Sequence, residues 1–303
     1  MRRGAGVTAV SVAPAGLVRR ARRPPGWQAP GPRPAAPDSG LGPHAGEDLC
    51  YLAGDWRIFQ RVAGHRWSLD DLVTAWVAAM VTAERPPRRF VDLGCGIGTV
   101  LMLVAWRFPE ASGLGVEAQP MSVDLARRSL AWNGATDRCA VRLGDFREIV
   151  TELAAAPADL VTGTPPYLTP GRAIAPRRVQ CGPCHFEERG GIEAYGGAAA
   201  ALLAPGGRFV VCGAAFQHAR ALAALAAAGL AVQHAVRVIP RAGKAPLFRV
   251  YVARRAGEAE ATTTAVPAEL VVRDTTGRWT DAFAGVRTAM GMPVRDPRTE
   301  DRA

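Results

Sequence analysis

The sequence contains almost no lysine and no long apolar run. Lys244 is its single lysine, so arginine supplies nearly all of the positive charge. That usage fits GC-rich coding as well as phosphate binding, and it does not by itself indicate a partner. The longest apolar segment, Ala214–Val232, is interrupted by Gln217, His218 and Arg220, whereas a membrane-spanning helix needs about 18–20 apolar residues in succession. We therefore predict no membrane-spanning helix and no membrane partner.

The sequence also lacks the closely spaced cysteines of a disulfide-rich protein. Its six cysteines are dispersed along 303 residues, at Cys50, Cys95, Cys139, Cys181, Cys184 and Cys212. Dispersed cysteines in a chain of this length are typical of a reduced intracellular protein. We accordingly expect a cytoplasmic protein, and we favour a monomer.

Two of these cysteines form the segment Cys181-Gly-Pro-Cys184, followed by His185. The spacing matches the thioredoxin redox tetrapeptide, but thioredoxins place it after a strand at the start of a helix. A zinc site would need two further ligands, and His185 is too close to complete a second pair. We expect no metal, and both a redox function and an inert or substrate-lining loop remain open.

Four arginines of this region are compatible with phosphate binding or with a solvated loop: Arg172, Arg177, Arg178 and Arg189.

Acidic residues are missing from the start of the chain. Residues 1–45 hold seven arginines and one acid, Asp38, and so carry more than half of the net charge of +10. Residues 1–46 also lack apolar periodicity. They are predicted to be a disordered tail, a transit peptide for a mitochondrion or plastid, or the product of an unused upstream start. The proposed organisation is an extension over 1–46, a folded domain over 47–256 and a tail with a short strand and helix over 257–303.

Apolar patterns from residue 57 onwards predict alternating strands and helices. A possible strand over Arg57–Val62 precedes a helix over 69–83, with Ser68 as its N-cap. The next predicted strands are Arg89–Asp92, Gly113–Glu117, Ala140–Leu143, Asp159–Thr162 and Arg208–Cys212. The predicted helices between and after them are Thr99–Phe108, Met121–Asn133, Phe146–Ala155, Ile192–Leu203 and Ala214–Ala228. This alternation indicates an α/β, Rossmann-like fold with a mostly parallel sheet and helices on both faces.

Two further strand-like runs, Val232–Val238 and Leu247–Ala253, have no helix between them. They predict a terminal hairpin, which would make one strand antiparallel to the others.

A glycine-rich turn follows the first strand of the alternation, in the segment VDLGCGIGTV. Gly94, Gly96 and Gly98, with Cys95 between the first two, let the backbone turn sharply and approach a ligand closely. The spacing is GxGxG and differs from the GxGxxG of dinucleotide-binding proteins. Asp92, just before this turn, is placed either to orient an ammonium group of the ligand or to cap the loop backbone.

Acids end the next two predicted strands. Glu117 is placed to hold the two ribose hydroxyl groups of an adenosyl moiety. Asp145 is placed to accept from an adenine amine, and Phe146 to stack on the adenine ring. Four correctly spaced elements on consecutive strand ends predict an adenosyl donor more strongly than the glycines alone.

The fourth strand is followed by Thr164-Pro165-Pro166-Tyr167. Open α/β sheets bind ligands at this edge. In amino-methyltransferases a turn of this kind accepts hydrogen bonds from the target amine through its first side chain and a proline carbonyl. The tyrosine supplies a stacking surface for a planar acceptor. The other interpretation is a rigid loop without a catalytic role.

Several segments resemble the bacterial tRNA adenine-N6 methyltransferase family that acts next to the anticodon of valine tRNA. The resemblance covers about residues 48–292 and rests on RIFQRVAGHRWSLDDLVTAW, LVTGTPPY, EERGGIEAYGGAAAALLAPGGRFV, PRAGKAPLFRVYVAR and LVVRDTTGRWT. It implies a seven-stranded class I methyltransferase fold, S-adenosylmethionine as donor and adenine N6 of an RNA as acceptor. It also implies that His65, Arg66 or Trp67 lies over the donor pocket. For Trp67 the alternative is packing in the core.

The resemblance assigns donor contacts to Asp92, Gly94, Gly96, Glu117 and Asp145, and the acceptor turn to residues 164–167. Thr164 departs from the family, which has asparagine there. Threonine keeps one oxygen acceptor but has a shorter reach. Two alternatives therefore stay open beside an RNA methyltransferase: an enzyme that methylates protein glutamine or another small amine, and a catalytically weak protein that binds the donor and RNA.

Overall fold

The computed structural model describes residues 16–20, 23–35, 40–167, 187, 190–258 and 265–294. The strands in these ranges are β1 (Leu17–Val18), β2 (Glu47–Tyr51), β3 (Arg57–Arg61), β4 (Arg89–Leu93), β5 (Ser112–Glu117), β6 (Cys139–Leu143), β7 (Ala158–Gly163), β8 (Leu203–Ala214), β9 (Leu230–Ile239), β10 (Phe248–Arg255) and β11 (Glu269–Val271). The helices are α1 (Leu69–Val81), α2 (Thr99–Arg107), α3 (Pro120–Trp132), α4 (Phe146–Leu153), α5 (Ile192–Leu202), α6 (His218–Ala227) and α7 (Asp281–Ala289).

The main sheet has the strand order β11-β9-β10-β8-β7-β4-β5-β6. Strands β4 to β8 pair in parallel, and β10 runs antiparallel to both β8 and β9. Because helices connect the parallel strands, the carboxyl ends of β4, β5, β6 and β7 meet at one edge. The predicted Rossmann-like architecture with its terminal antiparallel hairpin is confirmed.

This sheet has one strand more than the seven predicted. The short strand β11 of the tail pairs in parallel with β9, and Leu270 lies opposite Val238. A second difference concerns Ala214, which was predicted to begin a helix. Ala214 instead pairs with Phe248 at the end of β8, and α6 begins at His218 after a 3-10 turn. The periodicity of an alanine-rich segment does not distinguish a strand end from a helix start.

Apolar side chains cover both faces of the sheet. Helices α1, α2, α3 and α7 contribute to one core, which includes Phe90 and Trp106. Helices α4, α5 and α6 contribute to the other core, which includes Val91 and Leu93. Neighbouring residues of β4 therefore face opposite cores, as the alternation of side chains along a strand requires. No helix within the described ranges has the length and hydropathy of a membrane-spanning helix.

A smaller sheet of β1, β2 and β3 packs beside the main domain. Leu17 pairs with Asp48, and the Arg19 guanidinium lies 2.7 Å from the buried Asp48 carboxylate. These contacts attach a part of the predicted N-terminal extension to the domain. The indole of Trp106 lies against Gly31 and Gly54, where added Cβ atoms would come within 2.6 and 2.7 Å of its ring.

Candidate active site

A cavity of about 510 Å³ opens at the carboxyl edge of the main sheet. Its lining includes residues that follow β4, β5, β6 and β7, together with the start of α1. The predicted site residues that line it are Gly94, Cys95, Gly96, Glu117, Asp145, Phe146, Thr164, Pro165, Pro166 and Tyr167. The structure thus brings most of the predicted donor residues and the whole predicted acceptor turn into one space.

The glycine turn forms the floor of one half of the cavity. Gly94 and Gly96 have φ angles of +58° and +54°, which side-chain-bearing residues adopt at a cost. A Cβ atom at Gly96 would meet no atom within 4 Å, so a ligand can approach the backbone there. Gly98 does not line the cavity; it is the N-cap of α2 and contacts Ala126, whose Cβ would lie 3.1 Å from an added Cβ. Cys95 is buried, and burial raises the pKa of its thiol.

Glu117 connects the glycine turn to the next strand end. Its Oε2 accepts a hydrogen bond from the Gly96 N–H at 3.0 Å, and its Oε1 accepts from the Gln119 N–H at 2.7 Å. The buried carboxylate is therefore fixed in orientation at the wall of the cavity.

Asp145 is the N-cap of α4 and also forms an ion pair. Its Oδ1 accepts from the backbone N–H of Arg147 at 3.0 Å, and the Arg147 guanidinium contacts both carboxylate oxygens. A ligand amine that binds Asp145 must therefore share this carboxylate with Arg147. The neighbouring Phe146 is buried and packs edge-on against Tyr195, with ring centroids 4.7 Å apart.

Asp92 lies behind the glycine turn and is not part of the cavity lining. Its Oδ1 accepts from the Thr162 hydroxyl at 2.8 Å and its Oδ2 from the Leu101 N–H at 3.0 Å. Burial raises the pKa of Asp92 to about 7. These contacts match the alternative in which Asp92 caps the loop and the start of α2.

The acceptor turn and the first turn of α1 line the same cavity. The Tyr167 hydroxyl donates to Asp70 Oδ2 at 3.1 Å. The Tyr167 hydroxyl also lies 3.0 Å from Cys212 Sγ. Burial raises the pKa of Tyr167 well above its ordinary value, so its phenol stays protonated. Tyr167 is thus fixed at its hydroxyl end and packs against the core.

Other residues of the cavity were missed by the sequence analysis. Asp70, Asp71 and Tyr195 line it, as do the exposed side chains of Phe216 and Leu247. The capping-box spacing of Ser68 and Asp71 was a signal for the helix start, but it carried no information about the partner across the cavity. No local pattern distinguishes Tyr195 from an ordinary aromatic residue of a helix.

The segment before α1 contributes one residue to the cavity. His65 lines it, whereas Arg66 and Trp67 do not. The Arg66 guanidinium contacts Asp48 at 3.0 Å and Cys50 Sγ at 3.1 Å, and Trp67 packs against the core.

Within the described ranges, no group of three or more potential ligands could hold a metal ion. The predicted Cys181 and Cys184 site and Arg172, Arg177, Arg178 and Arg189 lie outside the described residues.

Residues 68–191 match the family described as Methyltransferase small domain. One relative, a release factor glutamine methyltransferase of Rhodospirillum rubrum, is 31% identical over 50% of this chain and 52% of its own length. Another, a tRNA1(Val) (adenine(37)-N6)-methyltransferase of Porphyromonas gingivalis, is 30% identical over 46% of this chain and 54% of its own length. The chain thus spans about half the length of these curated relatives.

The fold is also found among solved structures. A predicted O-methyltransferase from Agrobacterium tumefaciens superimposes with a TM-score of 0.54 at 21% identity, over 74% of this chain and 98% of that one. Residues 68–191 therefore match a methyltransferase family model, and the fold is shared with a solved methyltransferase. The predicted fold class is confirmed, and the predicted donor, S-adenosylmethionine, agrees with the family match. The relatives differ in the acceptor that their names state.

Proposed function

We propose that this protein is an S-adenosylmethionine-dependent N-methyltransferase that methylates the N6 amine of an adenine in RNA, with tRNA as the RNA class. One observation supports this proposal above the others. A single cavity contains the glycine turn with Glu117 at one side and the turn from Thr164 to Tyr167 at the other. A donor and an acceptor held at these two places would meet within the cavity.

The donor half supplies the contacts that an adenosyl group requires. Glu117 would accept from the ribose hydroxyl groups, and the open backbone at Gly96 would allow close approach of the donor. Phe146 and Asp145 would contact the adenine ring and its amine. S-adenosylmethionine, when bound, supplies a methyl group on a positively charged sulfur, which makes it susceptible to in-line attack by nitrogen.

The acceptor half orients the attacking nitrogen. Thr164 Oγ1 and the Pro165 carbonyl oxygen would accept hydrogen bonds from the two N–H groups of the amine, which draws the nitrogen lone pair out of ring conjugation. In this orientation the nitrogen would form a bond to the methyl carbon as the sulfur–carbon bond breaks, and its surplus proton would leave for solvent. Positioning accounts for most of the catalysis in such a reaction.

Two surface features near the cavity favour an RNA acceptor. Phe216 lies at the cavity and is 77% exposed, and exposed aromatic rings stack on unpaired bases. The connection from β9 to β10 carries the exposed Arg241 and Lys244 and ends at Leu247, which lines the same cavity. Such cations contact phosphates without reading the base sequence.

A protein glutamine acceptor is the second candidate. A glutamine amide and an adenine amine both present two N–H donors on a planar group, so the same turn fits both. The similar identities of the glutamine and adenine methyltransferase relatives support this alternative.

The test uses the purified full chain with tritiated S-adenosylmethionine. One arm contains bulk tRNA without modifications, digested afterwards to nucleosides, and a second arm contains a protein extract. Label in N6-methyladenosine is the expected result. Label in protein alone would overturn the RNA proposal in favour of the amide. Binding of the donor without label in either arm would support the catalytically weak alternative. The same assay is run on two variants. Thr164→Asn introduces the residue of the resembling family, and Asp145→Ala removes a predicted donor contact.

A further inference from the structure

Two loops leave the main sheet at the edge that carries the cavity. Strand β8 is parallel to β7, and β10 is antiparallel to both β8 and β9, so the connection from β9 to β10 (residues 240–247) lies at the carboxyl edge. Strand β11 is parallel to β9, so the segment that follows β11 leaves the sheet at the same edge. Both loops therefore lie on the side of the sheet where the donor and the acceptor would meet.

Hydrogen bonds hold these two loops together. The Ala242 N–H donates to the Arg273 carbonyl oxygen at 2.7 Å, and the Arg241 guanidinium donates to the Thr275 carbonyl oxygen. The two partners of the second contact are 34 positions apart in the sequence. Each loop is thus fixed by the other loop as well as by its own strands.

A tight turn over residues 274–278 presents Arg278. Asp274 Oδ1 accepts from the backbone N–H groups of Thr276 and Arg278 at 2.8 and 2.9 Å, and the Asp274 N–H donates to the Arg278 carbonyl oxygen at 2.9 Å. The backbone of Arg278 is therefore fixed at both its N–H and its carbonyl group, while the residue itself is exposed.

The two loops carry exposed cations beside the cavity. Arg241, Lys244 and Arg278 are exposed, and residues 240–247 contain no acid. Lys244 is three residues before Leu247, which lines the cavity, so the two Cα atoms lie within about 11 Å of each other. Guanidinium and ammonium groups present several N–H donors each, and both bind phosphate oxygens.

We propose that Arg241, Lys244 and Arg278 form a phosphate-binding surface for the RNA strand that carries the acceptor adenine. The inference rests on the proposed methylation of RNA and identifies where the protein would hold the strand beside the methylated base. A base that enters the cavity past Leu247 would leave its neighbouring phosphates over the two loops. These contacts would position the RNA without selecting its sequence.

An exposed aromatic ring beside the cations favours RNA over an acidic protein. The Ala215 N–H donates to the Leu247 carbonyl oxygen at 3.3 Å, which places the neighbouring Phe216 next to the end of the β9–β10 connection. Phe216 and Leu247 are both exposed, and both line the cavity. Cations combined with an exposed aromatic ring are the means by which proteins bind single-stranded nucleic acids.

The first test measures the affinity for unmodified bulk tRNA at several salt concentrations, by fluorescence anisotropy with the full chain. Each lost phosphate contact reduces the slope of log affinity against log salt by about 0.7 to 1. The triple variant Arg241→Gln, Lys244→Gln, Arg278→Gln should reduce this slope by about 2 to 3 and weaken binding by about 10- to 100-fold at low salt. The affinity for S-adenosylmethionine should not change. An unchanged slope would overturn the inference.

A second triple variant is the matched control. Arg85, Arg88 and Arg107 are exposed as well, but they lie just before β4 or at the end of α2, and so at the opposite edge of the sheet. Their replacement by glutamine removes the same charge and should leave the slope for tRNA unchanged. Equal losses in the two triple variants would indicate an effect of net charge alone and would overturn the inference.

Single variants test the tail and guard against misfolding. Lys244→Gln and Arg278→Gln retain the backbone hydrogen bonds that join the loops, and the melting temperature reports on the fold. Each should reduce the slope by about 1. A full slope in Arg278→Gln would remove the tail from the surface and overturn the inference as stated.

The outcomes also separate this surface from the proposed function. A reduced slope in a protein that does not methylate tRNA would count against the proposed function alone. Methylation of tRNA by the first triple variant with the kcat/KM of the wild type would overturn the surface alone. Loss of methylation of a protein substrate in that variant, with tRNA binding unchanged, would indicate an acidic protein partner and would overturn the inference.

Discussion

The hydroxyl group of Tyr195 occupies the space where a side chain at Gly94 would begin. A Cβ atom at Gly94 would clash with the Tyr195 hydroxyl oxygen, and a Cβ atom at Gly163 would lie 2.6 Å from the same ring. Gly94 directly follows β4 and Gly163 ends the neighbouring strand β7, so the absence of two side chains creates the room for one buried tyrosine. The ring then packs against Phe146 and lines the cavity.

Gly94→Ala should therefore destabilise the fold more than Gly96→Ala. Both positions have nearly the same positive φ, so the backbone strain of about 1–2 kcal/mol is shared. Only Gly94 adds a clash, which costs about 1–3 kcal/mol. Chemical denaturation measures the difference in the free energy of unfolding. Tyr195→Phe in the Gly94→Ala background should recover part of the loss, and equal stabilities of the two single variants would contradict the packing described.

Glu117→Gln should weaken the binding of S-adenosylmethionine by about 10- to 100-fold. The amide nitrogen cannot accept from either the Gly96 N–H or a ribose hydroxyl, and hydrogen bonds to charged groups contribute about 1.5–3 kcal/mol each. Isothermal titration calorimetry provides the measurement. Glu152→Gln, which changes an exposed carboxylate paired with Arg142, should leave the affinity unchanged. Wild-type affinity in Glu117→Gln would remove this residue from the donor site.

Arg147→Met should strengthen donor binding by several-fold. The Arg147 guanidinium contacts both oxygens of Asp145, so its removal frees the carboxylate for an adenine amine. The Arg147 backbone N–H, which caps α4 through Asp145, is retained in this variant. Arg142→Met is the control, because it removes another exposed arginine outside the cavity lining. Weaker binding in Arg147→Met would indicate that the arginine itself contacts the donor.

The stability of the fold should fall as the pH rises from about 4 to 7, in part because of Asp92. Burial raises the pKa of Asp92 in the folded protein to about 7, above its value in the unfolded chain. Its contribution is fully present below about pH 4 and is lost as the pH passes 7, and the free energy of unfolding falls by about 1.4 kcal/mol for each pH unit between these two pKa values. In Asp92→Asn this part of the slope should disappear, while the part from Asp71 remains. Denaturation curves at several pH values between 4 and 7 give the free energy of unfolding of both proteins. The same dependence of this free energy on pH in wild type and in Asp92→Asn would refute the assignment.

Phe216→Ser should lower the methylation of tRNA without an effect on donor binding. Stacking of a base on an aromatic side chain contributes about 1–3 kcal/mol, which corresponds to roughly a 5- to 100-fold loss in kcat/KM. Val294→Ser, a change of an exposed apolar residue outside the cavity lining, serves as the control. A full rate in Phe216→Ser would show that the acceptor does not contact this ring.

From residue 57 to residue 253 the sequence by itself predicted the order of strands and helices and the strand ends at which the predicted donor residues lie. Each of these features is local: an apolar run predicts a strand, and the residue that follows it reaches the carboxyl edge of a parallel sheet. Gly94, Glu117, Asp145 and Thr164 reach the cavity for this reason. The eighth strand was not predicted as part of the sheet, since three residues of the tail give no signal of their pairing with β9.

Only the tertiary structure decided which side chains act on the acceptor turn. Asp70 and Tyr167 are 97 residues apart in sequence, and they meet because α1 packs over the sheet beside β7. Tyr195 reaches Gly94 because α5 covers the opposite face. Such contacts depend on how helices pack on the sheet, which no periodicity encodes. The glycine turn could therefore be predicted from the sequence, whereas the contact between Tyr167 and Asp70 required the fold.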